Sequence, residues 1–196
     1  MKHYILASAS PRRKQILETL GVTPEIFVTD ADESSDERDP ARLSEILSAR
    51  KGRAALDALL SMGRDLTDTV LIASDTTVSI GGEILGKPTD EADARRMLTM
   101  LSGKEHEVVS GIWLWYNGSE AVSHAITSVS FAPMSEEDVT YYIGTGEPFG
   151  KAGAYAIQGI ASMWIRGIRG DYFSVVGLPV NRMCELFAEE FGEKFI

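Results

Sequence analysis

Apolar and polar positions switch between two periods along this chain, and the switches mark its elements. Residues 4–7, Tyr-Ile-Leu-Ala, make a short apolar run that predicts a buried strand. Ser8-Ala-Ser10 interrupts it, Pro11 has the fixed φ that suits a first helical position, and Gly21 ends the helix so begun. Residues 26–28 predict a second strand. The acidic stretch 30–39 leads into Asp39-Pro40, an N-cap with a first-turn proline, and a long helix to about residue 60. Residues 70–80 are rich in β-formers, Gly81-Gly82 predicts a hairpin turn, and residues 83–85 return before Gly86-Lys87-Pro88. Thr89 is the predicted cap of a further helix that closes at Ser102-Gly103.

Residues 108–116 and 120–131 flank Asn117-Gly118, the strongest short hairpin motif in the chain. Ser135 and Asp138 have capping-box spacing, residues 154–166 mix strand and loop, and Pro179 starts an amphipathic helix that runs to residue 191. There is no internal repeat and no low-complexity segment. Strand-helix units mixed with hairpins predict an α/β fold of mixed α+β type rather than a regular doubly wound sheet.

At 196 residues the chain can bury a full core, and residues 1–196 are expected to form a single domain. Its 44% hydrophobic and 24% charged residues are ordinary for a globular protein. The formal charge of -10 opposes a DNA or RNA duplex as partner, because duplex binding needs clustered Lys and Arg. No apolar run approaches the roughly 18 residues of a membrane span, and the opening residues are too weakly apolar for a signal peptide. The expectation is a cytoplasmic protein with no membrane partner. The single cysteine, Cys184, falls among Met183, Leu186 and Phe187 and reads as a buried structural thiol. Trp113, Trp115 and Trp164 belong to an interface or to the core. His3, His106 and His124 lack zinc spacing, and neither a P-loop nor a G-x-G-x-x-G pattern is present.

Arg12 and Arg13 lie in the first turn of a predicted helix, where the macrodipole disfavours positive charge by a few tenths of a kcal/mol. Strand, small-residue loop and helix start together form a recurrent phosphate site, with Ser8 and Ser10 hydroxyls beside the guanidiniums; the alternative is a capped helix with two solvated arginines. Asp75 interrupts a β-rich run where an ionised carboxylate needs a partner. It either holds a divalent metal or acts as base on an attacking water, or it is a structural Asp paired with arginine. Lys87, between Gly86 and Pro88, suits a point-charge contact to phosphate but is equally a surface turn lysine. Lys51 reaches a phosphate or lines a solvated helix face. Glu33, in an acidic run, would give Asp75 the second carboxylate that Mg²⁺ often takes. The Gln158 amide offers donor and acceptor to a base edge, or bonds backbone.

Together Ser8-Ala-Ser-Pro-Arg-Arg13, Ala73-Ser-Asp-Thr76, Gly86-Lys-Pro88, Leu101-Ser-Gly103, Lys151-Ala-Gly-Ala-Tyr-Ala-Ile-Gln-Gly159 and Val176-Gly-Leu-Pro179 resemble the Maf family of nucleoside triphosphate pyrophosphatases, in the family's order and nearly end to end. The resemblance implies a central mixed sheet with two lobes around a deep nucleotide-binding cleft, similar to the inosine triphosphate pyrophosphatases. It implies cleavage between the α- and β-phosphates to a nucleoside monophosphate and pyrophosphate, with Mg²⁺ or Mn²⁺ as cofactor. By resemblance Asp75 is the catalytic proton acceptor, Ser8, Arg13, Lys51 and Lys87 bind the triphosphate, and Glu33 and Asp75 serve the metal. Arg12, Thr76 and Gln158 match the set of the dTTP and UTP pyrophosphatase subgroup, in contrast to the Trp, Gln and Glu of the 7-methyl-GTP subgroup. Gly52, where the family usually has Ala, and Ser174, where Asn is frequent, depart from the pattern. Two other readings accompany the resemblance: a nucleotide-binding regulator of septum formation without significant turnover, and a house-cleaning enzyme for deaminated purine triphosphates. A homodimer is the common form among similar proteins.

Overall fold

The structure is a computed structural model and describes residues 2–196. Its centre is a seven-stranded mixed sheet in the order β2-β1-β3-β5-β6-β7, with β4 paired to β3 off that path. The strands are β1 (His3–Leu6), β2 (Glu25–Ile26), β3 (Thr69–Ile80), β4 (Glu83–Leu85), β5 (Glu105–Tyr116), β6 (Ser119–Phe131) and β7 (Ile165–Arg169). The helices are α1 (Pro11–Thr19), α2 (Pro40–Ser61), α3 (Glu91–Leu101), α4 (Glu136–Gly144), α5 (Tyr172–Val176) and α6 (Val180–Phe191). β1 runs parallel to both β2 and β3, whereas β3, β5, β6 and β7 pair antiparallel. The fold is thus mixed α/β.

Apolar residues of β3 and β5 point alternately to the two faces, so one sheet carries separate cores. Val70, Ile72, Ile112 and Leu114 pack with α1 and α6 at one end. Val78 and Val108 pack with α3, α4 and Tyr155 at the other end. Leu71, Ala73 and Trp113 face the long helix α2 across the opposite side. Two lobes on one face, at opposite ends of the long strands, leave a cleft between them.

The cleft has a cause in strand lengths. β1 ends at Leu6 opposite Ile72, and β4 ends at Leu85 opposite Val78, so that edge of β3 has no strand partner from 73 to 77. The segment Ala7–Ser10 turns out of β1 at this gap, after the Ala7 N–H donates to the Ile72 carbonyl at 2.8 Å. α2 lies directly on the sheet behind the gap. Its buried face repeats Ser44, Leu47, Ser48, Gly52, Ala55 and Leu59, of which Ser44, Ser48, Gly52 and Ala55 are small and permit close approach. A Cβ at Gly111 would sit 2.2 Å from the Ser44 carbonyl oxygen, and one at Gly52 would sit 2.0 Å from the Trp113 ring.

Several local expectations shift. α3 is capped by Asp90, whose carboxylate accepts from the Asp93 N–H, and not by Thr89. β2 covers Glu25–Ile26 alone, and the segment after Lys151 is two 3₁₀ turns before β7. α5 was absent from the pattern, since five residues rich in aromatic and β-branched types give no helical period. Cys184 is half-buried, packed against the α6 core. Trp113 and Trp164 are core residues, and Trp115 packs beside the α2 cluster. Among the described residues no helix is long and apolar enough to cross a membrane.

Candidate active site

The cleft has a volume of about 950 Å³ and collects Ser8, Arg12, Arg13, Glu33, Lys51, Asp75, Thr76, Lys87 and Gln158 on its walls. All nine sequence-derived candidates therefore meet in one place. Lys151 also lines it, which the sequence reading passed over although it opens the Lys151-Ala-Gly motif. Five cations and the four carboxylates Asp30, Asp32, Glu33 and Asp75 line the cleft, so its wall is mixed in sign although the chain has charge -10.

Asp75 and Thr76 are neighbours on β3 and so point to opposite faces of the sheet. Asp75 lies on the α2 face, paired in register with Gly111. Because Gly111 lets α2 rest on β5, the Lys51 ammonium reaches Asp75 Oδ1 at 2.5 Å. The same ammonium contacts Glu33 Oε1 at 2.9 Å, and Lys87 Nζ lies 3.5 Å from Glu33 Oε2. Lys51 first, then Lys87, holds the Glu33 carboxyl below the usual carboxylate range, against its partial burial. The loop carrying Glu33 is tied to α2 by Arg50, which donates to the Asp32 and Ser34 carbonyls.

On the other face, Thr76 Oγ1 shares a 2.8 Å hydrogen bond with Ser110 Oγ, its register partner, and Ser110 donates to the Ser174 carbonyl at 2.7 Å. Ser174, one of the departures from the family pattern, thus contributes through its backbone. Thr76 also accepts from Arg13 Nη2 at 3.3 Å. Arg13 Nη1 donates to Ser8 Oγ at 3.1 Å and Nε donates to the Gly177 carbonyl at 2.8 Å. Burial lowers the Arg13 pKa, with Asp75 opposing that shift. Ser8 Oγ additionally accepts from the Ser10 N–H, and Ser10 Oγ caps α1 at the Arg13 N–H.

Arg12 differs from Arg13. It is half-buried, burial lowers its pKa, and its guanidinium makes no hydrogen bond or ion pair to the described residues. The exposed Gln158 amide likewise bonds none of them, so the alternative of a backbone-bonded glutamine does not apply. Lys87 is brought to the cleft by the turn after β4, where the Gly86 carbonyl accepts from the Gly153 N–H at 3.0 Å. Gly153 has φ +69°, and a Cβ there would approach Val78 to 2.8 Å, so this junction requires glycine.

The donor set suits a hard divalent cation. Glu33 and Asp75 converge on a single ammonium, which marks a point between two carboxylates where positive charge is already favoured. Among the described residues no group of three His, Cys, Asp or Glu is arranged to hold a metal. A metal here would complete its shell with water and ligand oxygens, as Mg²⁺ commonly does.

The family model described as Maf-like protein matches residues 3–190. A dTTP/UTP pyrophosphatase of Symbiobacterium thermophilum is 42% identical over 190 residues, covering 96% of this chain and 94% of that protein. Proteins of the same name from Ruminiclostridium cellulolyticum (42% identical, all of both chains) and Chromobacterium violaceum (44% identical, 94% and 92%) are similar to it throughout. The Staphylococcus aureus Ham1 protein structure shares 16% identity over 67% of this chain and 72% of that one, at a TM-score of 0.47. A family match over nearly the whole length, together with relatives at 42% and 44% identity, establishes that this chain belongs to the Maf-like protein family.

Proposed function

We propose that this chain is a nucleoside triphosphate pyrophosphatase that hydrolyses dTTP and UTP to the nucleoside monophosphate and pyrophosphate. The observation that carries the reading is the convergence of Arg12, Arg13, Lys51, Lys87 and Lys151 with the Glu33–Asp75 carboxylate pair in one cleft, in a chain similar end to end to proteins named dTTP/UTP pyrophosphatase.

Arg13, fixed on three sides, presents its remaining N–H edge as a rigid fork for phosphate oxygens. Lys51 and Lys87 exchange carboxylate partners for the triphosphate. Glu33 and Asp75 would hold Mg²⁺ or Mn²⁺, which supplies neutralisation of phosphate charge at the scissile bridge. Asp75, released from Lys51, orients and deprotonates the attacking water. Positioning and charge stabilisation by these groups account for most of the rate, as is general for phosphoryl chemistry. The free Arg12 guanidinium and Gln158 amide face the sugar and base. An amide answers the O4 acceptor and N3–H donor of uracil and thymine together, which a carboxylate cannot. Thr76 influences substrate choice through Arg13, since its hydroxyl is occupied there. The substrates point to a cytoplasmic enzyme.

The test is pyrophosphate release from dTTP, UTP, ITP and 7-methyl-GTP, each with and without Mg²⁺. Fastest release from dTTP and UTP, lost on chelation, is the expected result. ITP or 7-methyl-GTP as the preferred substrate would overturn the assignment, and tight dTTP binding without release would favour a regulator.

A further inference from the structure

The segment that carries Gln158 has little structure of its own. It is a turn, closed by the Gly159 N–H to the Ala156 carbonyl at 3.1 Å, that leads into the 3₁₀ turn Ile160–Trp164. Both of its ends are held by one pair of side chains. Tyr142 Oη, from α4, accepts from the Ala156 N–H at 3.3 Å and donates to Glu147 Oε1 at 2.8 Å. Glu147 lies just beyond α4, and its carboxylate accepts from the Ile160 N–H at 3.0 Å and the Ala161 N–H at 3.3 Å. Gly159 packs against it so closely that a Cβ there would lie 2.2 Å from Oε2. Tyr142 is wholly buried against Trp164, with ring centroids 5.6 Å apart, so the anchor is set in the core. Burial opposes ionisation of Glu147, but the Ile160 N–H, the Tyr142 hydroxyl and the Ala161 N–H outweigh it and keep the group anionic. The same charge acts favourably on the Arg12 guanidinium. Glu147 therefore links both groups assigned to the base.

An amide on a mobile loop could present donor and acceptor in either order, and would then serve thymine and cytosine alike, because these bases reverse that pattern on their pairing edge. Discrimination requires the backbone that carries the amide to be held in place, so that the wrong base leaves polar groups unpaired. We propose that Tyr142 and Glu147 are a positioning pair for residues 156–161, and that Glu147 determines the preference for thymine and uracil over cytosine by fixing the backbone from which Gln158 reaches the base. This rests on the pyrophosphatase reading of the cleft.

The experiment compares kcat and KM for dTTP and dCTP in wild type, Glu147→Ala, Glu147→Gln and Tyr142→Phe, with calorimetric binding of both nucleotides to each protein. Glu147→Ala is expected to raise the dTTP KM about tenfold with little change in kcat, and to reduce the dTTP over dCTP preference by about tenfold. Glu147→Gln, which keeps one carbonyl acceptor for the backbone N–H groups, restores part of that preference, and Tyr142→Phe falls between. An unchanged preference in Glu147→Ala and Tyr142→Phe, or equal losses on both nucleotides through kcat, would overturn the proposal. Should Glu147→Ala fail to fold, Glu147→Gln and Tyr142→Phe decide by the same readouts. Absence of pyrophosphate release by the wild type would instead refute the pyrophosphatase reading, and the binding preference would still test the pair.

Discussion

Arg13 illustrates how a charge is made into a tool at the scale of one residue. Its guanidinium is held by Ser8, Thr76 and the Gly177 carbonyl, so in the proposed role of phosphate contact it would have little freedom left to lose. Thr76→Val, which keeps the shape and removes the hydroxyl, is expected to raise the KM for dTTP severalfold, and to destabilise the fold by about 1 to 2 kcal/mol because Ser110 also loses a partner. Steady-state kinetics and urea unfolding check the two parts; an unchanged KM would separate Thr76 from Arg13. The residue types at this site were readable in the sequence, as were the small-residue loop before α1 and the carboxylate in a strand. The links were not. Arg13 to Thr76 spans 63 positions and Ser110 to Ser174 spans 64, and both depend on strand register that no local pattern encodes. Glu147 escaped notice because a carboxylate in a Gly-rich turn looks solvated until its backbone partners are known.

At the scale of elements, the decisive contact is the close seat of α2 on the sheet. At Gly52, a departure from the pattern the resemblance implies, the Trp113 ring fills the space a Cβ would take. Helix propensity alone would favour Gly52→Ala by about 1 kcal/mol. The clash with a fully buried indole reverses the sign, and the expected net loss is about 1 to 3 kcal/mol. Combining Gly52→Ala with Trp113→Leu should recover part of the melting temperature, and a stabilising Gly52→Ala single variant would contradict this packing. The Asn117-Gly118 hairpin was legible because both residues adopt positive φ, +48° and +88°, as a two-residue turn of that sequence demands. The cap of α3 was misread by one position because Thr89 and Asp90 are both capping types; the Asp93 carboxylate receives the Thr89 N–H while Asp90 caps the helix. α5 and the 3₁₀ turns were invisible for the same reason as each other, being too short for a period to show.

At the scale of the whole molecule, two lobes share one sheet, and the core of the lobe formed with α3 and α4 contains a titratable group. His106 shares a 2.8 Å hydrogen bond with the Tyr155 hydroxyl through Nε2, while Nδ1 is buried without a partner. Burial pushes the His106 pKa down to about 4. The unfolded chain, with an ordinary histidine pKa, therefore binds the proton more readily, and stability falls as pH drops from about 6.5 to about 4, by about 3 kcal/mol in all. Urea unfolding across that window measures the slope, and His106→Gln should flatten it; an equally steep slope in the variant would assign the acid sensitivity elsewhere. Tyr155 also lines the cleft, so this core and the site share a wall.

In the proposed function the cleft splits a nucleoside triphosphate between its α- and β-phosphates with Asp75 as the base. Phosphorus NMR of dTTP turnover with Mg²⁺ tests it most directly, by naming the products. Wild type is expected to give dTMP and pyrophosphate in equal amounts, and folded Asp75→Asn at least about 10²-fold slower release. Formation of dTDP and orthophosphate, or undiminished pyrophosphate release by Asp75→Asn, would contradict it.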